Sequence, residues 1–192
     1  MLNRDRFDYS TQEHFGICVL FSFAKAIDAL SRHAISFFDV MRCLYGFTQG
    51  HLKKNVSTFT KWQDLVTPMI MSWNEFISIY GKSMQIDDLN HEFLSKHLFK
   101  EVTKHFPNHG IICSHPVEYN IDVLKAEECA VCYPFHHGIG NPKPCHAVVI
   151  AYDFEEYVVD PNSNQPLPFN SLPVNYPGFV SGGGDCILLS KV

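Results

Sequence analysis

The amino-acid sequence predicts an α+β fold in which a helical half is followed by a strand-rich half. Three observations carry the prediction. Apolar residues recur at helical spacing through roughly the first hundred positions. Two pairs of Ser followed three residues later by an acid, Ser36 with Asp39 and Ser72 with Glu75, stand where helices would begin. From Gly110 onward the texture changes to short runs rich in β-branched and aromatic residues, separated by Pro, Gly and Asn. A chain of 192 residues can bury a core without covalent staples. It is read as one domain over 1–192, with a helical lobe over about 10–108 and a β lobe over about 109–192.

The first helix is the apolar run that begins at Cys18 and continues past Ala24. Ser36 and Asp39 open a second helix, with Gly46 as its stop. Ser72 and Glu75 open a third that ends at Gly81. Asp87 or Asp88 starts a longer amphipathic helix through Leu89, Phe93, Leu94, Leu98, Val102 and Phe106, stopped by Pro107. Trp62 and Trp73 are packing residues of this half. Strands are expected over 111–113, 130–135, 145–152, 156–159 and 186–189. A turn at Asp153-Phe154-Glu155-Glu156 folds the middle pair into a hairpin. The Pro-, Asn- and Gly-rich stretch 161–184 reads as loop. Gly182-Gly183-Gly184 lacks the Lys-Ser/Thr and helix that a phosphate loop needs, so it reads as a turn.

Cys18 is the residue with the clearest chemical potential. Only a thiolate attacks well, and an anion is favoured at a helix N-terminus, where backbone N–H groups lack partners, and beside an imidazolium. Gly16 permits a tight entry into the helix, the Cys18 N–H can meet a developing oxyanion, and the Gln12 amide can act as second donor. His146, at the head of an apolar strand 128 residues later, is the candidate base. Asp160 and Asn162 both follow the hairpin, lie two apart and so share a face, and either can orient the imidazole. Asp160 is preferred, because Pro161 ends the strand there and a carboxylate stabilises imidazolium better; Asn162 is the alternative.

These residues resemble the papain-like cysteine peptidases. That family carries a Gln, then Gly-x-Cys, then a helix reading Cys-x-x-Phe-Ser-x-Ala, matched here by Gln12, Gly16-Ile17-Cys18 and Cys18-Val19-Leu20-Phe21-Ser22-Phe23-Ala24. Its His-Ala-Val strand, Tyr and Asn-Ser are matched by His146-Ala147-Val148, Tyr157 and Asn162-Ser163, and residues 35–44, with Cys43, resemble its second helix. Val19 and Asn164 stand where the family has Trp, and its Cys-Asn-Gly-Gly stretch has no counterpart. Val158-Val159-Asp160-Pro161 is similar to the hairpin end of bacteriocin-processing peptidases and several bacterial effector proteases. The resemblance implies a papain-like fold with an active-site cleft between the lobes. It also implies a thiol peptidase or isopeptidase acting on a protein or peptide without a cofactor, with Cys18, His146 and Asp160 (or Asn162) catalytic and Gln12 and Cys18 forming the oxyanion hole. The same residues would serve a glutamine deamidase or transglutaminase, and a noncatalytic binding module of this fold is the alternative of another class.

Composition narrows the setting. The net charge of −5 argues against an electrostatic nucleic-acid binder, and Lys53-Lys54 is too short a basic run to change that. No apolar stretch reaches membrane-spanning length. Gln12 lies so near the first residue that no signal or propeptide is expected, and the seven cysteines form no disulfide framework. A reduced cytoplasm, that of the producing cell or of a host into which a secretion system delivers the protein, is the expected location. Cys129-x-x-Cys132 lacks the second pair of a zinc site and reads as structural, and His136-His137 as a solvated loop at the cleft rim.

Overall fold

The computed structural model describes residues 1–12, 17–52, 72–80, 97–114, 117–136, 146–181 and 186–192. At its centre is α1 (Cys18–Leu30), in which every residue except Val19 is buried. A helix apolar on nearly all sides has to be wrapped. Helix α2 (Phe37–Leu52) packs on one side of it and the sheet on another. Ser36 begins α2 as expected: its Oγ accepts the Asp39 N–H at 3.1 Å and its hydroxyl donates to Asp39 Oδ2 at 2.8 Å. The helix does not stop at Gly46 but runs six residues past it. A glycine inside a helix costs only about 1 kcal/mol, and packing of Val40, Met41, Cys43 and Leu44 outweighs that.

Helix α3 (Trp73–Tyr80) opens with a reciprocal cap, Ser72 N–H to Glu75 Oε2 at 2.8 Å and Glu75 N–H to Ser72 Oγ at 3.3 Å. Trp73 packs in an aromatic cluster with Phe21, Phe37, Phe38 and Phe76, and its indole N–H donates to the Thr11 carbonyl at 3.0 Å. Helix α4 (Phe99–His105) ends ahead of Pro107, whose ring cannot continue it. Trp62, Gly81 and the expected helix start with Leu89, Phe93 and Leu94 lie outside the described residues.

The second half is an open antiparallel sheet. Its strands are β1 (Ile111–Cys113), β2 (Cys129–His136), β3 (His146–Asp153), β4 (Glu155–Val159), β5 (Leu167–Pro168), β6 (Val180–Ser181) and β7 (Ile187–Lys191). They run in the order β1-β7-β2-β3-β4-β5, with β6 beside β2. Alternation along the strands splits the apolar side chains between two layers. Cys132, Val149, Ala151, Tyr157, Val159, Ile187 and Leu189 join the core with the helices. Val131, Tyr133, Phe135, Val148, Ile150 and Val158 form a second core with Leu124 of α5 (Ile121–Ala126) and Leu172 of α6 (Leu172–Asn175). The molecule is thus an α+β fold of N-terminal helices and a C-terminal open antiparallel sheet. Among the described residues no helix is long and apolar enough to cross a membrane.

The structure departs from the sequence expectation in two places here. The hairpin turn contracts from four residues to Phe154, because Asp153 pairs with Glu155 and Tyr152 with Glu156. Phe154 takes φ 62°, a left-handed conformation unusual for an aromatic residue. The stretch 161–184 is not all loop but carries β5, α6 and β6. These pieces are too short to show a period, and Pro168 sits in a two-residue edge strand, where a missing N–H costs little. Gly182, Gly183 and Gly184 lie outside the described residues.

Candidate active site

Cys18 is the first residue of α1 and is buried. The opening N–H groups of a helix have no intrahelical acceptor, so the backbone at Cys18 presents donors and the positive end of the dipole. One turn on, on the same face, Ser22 donates to the Ala147 carbonyl at 3.1 Å. That bond fixes the start of α1 against the start of β3, where His146 is the first residue. His146 is only 5% exposed, and the Phe135 ring from β2 meets it edge-on at 5.2 Å. The Cys18 side chain is near enough to the imidazole to favour its charged form.

The strand register explains which of the two orienters reaches His146. Val149 pairs with Val159 and Ile150 with Val158, so one further pair would set Asp160 opposite Val148, diagonal to His146. Diagonal neighbours lie within side-chain reach. Asp160 Oδ1 is 3.0 Å from His146 Nε2, and Asp160 is itself buried at 3% exposure. Beyond it the chain turns: the Asn162 N–H caps Asp160 Oδ1 at 2.8 Å, and the Asn162 side chain points elsewhere. Asn162 Oδ1 accepts from Gln12 Nε2 at 2.8 Å, and Asn162 Nδ2 donates to the Tyr176 hydroxyl at 3.3 Å.

Gln12 is drawn to this place from the other end of the chain. Its backbone N–H donates to the Pro161 carbonyl at 2.9 Å, and its buried Oε1 has no hydrogen-bond partner among the described residues. One Nε2 hydrogen goes to Asn162, which leaves the second for another acceptor. Gly16, which precedes the helix, lies outside the described residues.

Tyr176 is the member that sequence reasoning missed. It follows α6, donates to Asp160 Oδ2 at 2.5 Å, lies 2.9 Å from His146 Nε2, and sets its ring 4.9 Å from the imidazole. A single tyrosine in a Pro- and Asn-rich stretch carries no periodicity or motif that marks it.

The electrostatics follow from these partners. Burial pushes the His146 imidazolium toward deprotonation, but the Asp160 carboxylate and the Cys18 side chain outweigh it and lift the pKa to about 9. Burial would raise the Asp160 carboxyl, yet His146, Tyr176 and the Asn162 N–H hold it below its usual value. Tyr176 is raised, by burial and then by Asp160. The cluster can therefore hold an imidazolium against the Asp160 carboxylate at neutral pH.

Elsewhere, Cys129 and Cys132 lie three apart on β2 and belong to opposite cores, a placement that does not converge on one ion. Among the described residues no group of three or more His, Cys, Asp or Glu is arranged to hold a metal. His137 and Cys145 lie outside the described residues. Searches of protein-family models, curated proteins and solved structures found no match to this chain.

Proposed function

We propose that the chain is a cysteine-nucleophile acyl-transfer enzyme, a thiol peptidase or isopeptidase acting on a protein or peptide, with a papain-like arrangement of helix and hairpin. One observation carries the reading: a buried imidazole at a strand end is hydrogen-bonded to the Asp160 carboxylate, and a cysteine at a helix N-terminus lies near enough to favour its charged form. With Nε2 held by Asp160 and Tyr176, Nδ1 is the nitrogen left to serve Cys18.

In the proposed cycle the Cys18 thiolate forms a bond to the substrate carbonyl carbon, and the carbonyl π electrons move to oxygen. The Cys18 N–H and the uncommitted Gln12 Nε2 hydrogen are the donors for that oxyanion. Collapse breaks the C–N bond, and His146 gives its proton to the departing amine. His146 then deprotonates a water, which attacks the thioester and releases the carboxylate product and the thiolate. Asp160 holds the imidazole and stabilises its charged form. The unpartnered Gln12 Oε1 has no part in this cycle.

The reading is tested by iodoacetamide labelling with mass mapping. Cys18 is expected to react faster than the other six cysteines, and His146→Ala is expected to slow it at least about 100-fold. Equal labelling of Cys18 in wild type and His146→Ala would sink the proposal. Intact-mass analysis of protein substrates then separates cleaved fragments from a deamidated product.

A further inference from the structure

Resting on that acyl-transfer reading, we propose that Tyr176 is a positioning residue that locks the Asp160 carboxylate onto His146 through its phenolic hydroxyl. Asp160 is ionised and can only accept, so the 2.5 Å contact from Tyr176 uses the single phenolic hydrogen on Oδ2. The phenolic lone pairs then face the other two neighbours, Asn162 Nδ2 at 3.3 Å and His146 Nε2 at 2.9 Å. Nε2 must carry a hydrogen, shared between Tyr176 Oη and Asp160 Oδ1 at 3.0 Å. Each carboxylate oxygen is thus saturated from a different element: Oδ1 by His146 and the Asn162 N–H, Oδ2 by Tyr176.

Without the phenol, Oδ2 is a buried acceptor with nothing to hold it, and rotation of the carboxylate would draw Oδ1 off Nε2. The Tyr176 hydroxyl meets both His146 Nε2 and Asp160 Oδ2, and its bond to the carboxylate is the one that fixes the orientation of the pair. Its ring packs 5.0 Å from Phe135 as well as against His146, and Tyr176→Phe preserves both ring contacts. Among the described residues, the titratable groups facing Asp160 are His146 from β3 and Tyr176 from beyond α6. Cys18 of α1 acts on both of these.

The experiment compares wild type and Tyr176→Phe by two readouts: the pH profile of Cys18 alkylation, and the 13C titration of the Asp160 carboxyl. Loss of one charge-assisted hydrogen bond is expected to raise the carboxyl midpoint by about one pH unit. The acid limb of the alkylation profile should move up with it, giving about tenfold slower labelling on that limb. A merely space-filling tyrosine would leave both unchanged, and that result overturns the proposal. If wild-type Cys18 shows no enhanced reactivity, the acyl-transfer reading fails, while the carboxyl midpoint still decides whether Tyr176 holds Asp160.

Discussion

Lys25 and His146 both carry a proton inside the protein, yet Lys25 is pushed down to about 8 while His146 is lifted to about 9. Burial opposes charge at each; the partners differ. The Lys25 ammonium is bonded to one carboxylate, Asp8 at 2.6 Å, which is itself 40% exposed and shares its field with water, while the buried Asp28 acts on it more weakly, without a direct bond. The rest of its cage is the Asp8 carbonyl and the faces of Phe21 and Phe37. His146 meets a carboxylate buried as deeply as itself, and the Cys18 side chain adds to that support. The first pair pins the N-terminal segment to α1. The second stores a proton where chemistry would use it. A buried charge is sustained by how dry and how well held its partner is, rather than by distance alone.

The sharpest way to separate the two is the pH dependence of stability. His146 has a folded pKa raised from 6.5 to about 9, so its contribution is fully present below 6.5 and is lost as pH rises to 9. Subtracting the curve of His146→Ala from that of wild type should expose a loss of about 3 kcal/mol across that window. Lys25, lowered from 10.5 to about 8, has the opposite sign: the penalty of its buried charge is relieved as pH rises from 8 to 10.5. The difference between wild type and Lys25→Met should therefore rise with pH there, and chemical denaturation at stepped pH reads both. Same-sign slopes would refute the contrast.

Next in size, Asp160→Ala should slow Cys18 alkylation about 100-fold, because it leaves the imidazolium without its carboxylate. Asp8→Ala should instead lower stability by about 2 kcal/mol, discounted from a fully buried pair because Asp8 is partly solvated, and leave the alkylation rate unchanged. If Asp8→Ala slowed alkylation as much as Asp160→Ala, the two pairs would not be independent. Ser22→Ala removes the hydroxyl that ties α1 to the Ala147 carbonyl. About 1 kcal/mol of stability and a few-fold loss of Cys18 reactivity are expected, measured by thermal melting and the same labelling. The smallest effect is a gain. Phe154→Gly relieves a left-handed aromatic that is 83% exposed and should stabilise the protein by about 0.5 kcal/mol in denaturant titration.

The division into helices and sheet was legible because each half has its own period. Ser36 and Ser72 announced their helices because a cap is a local device whose partners lie three residues away. Gly46 misled because a local stop signal lost to tertiary burial that no local reading contains. Gln12, Cys18, His146 and Asp160 could be singled out by residue type, order and position at element ends. Tyr176 could not, because its significance lies in contacts to residues 14, 16 and 30 positions away, all formed after the chain has turned through α6.

The bonds of Gln12 to Pro161 and Asn162 have a consequence for the order of assembly. The anchors of the residue that would cradle an oxyanion emerge about 150 positions after it in synthesis. Contacts of such long sequence separation close late, after local helices have formed. Until residues 146–162 have emerged, a nascent chain would thus carry the Cys18 helix without the base, the carboxylate or the anchored amide that would arm it. On the proposed reading, topology keeps the thiol disarmed until the hairpin that carries His146 and Asp160 has formed.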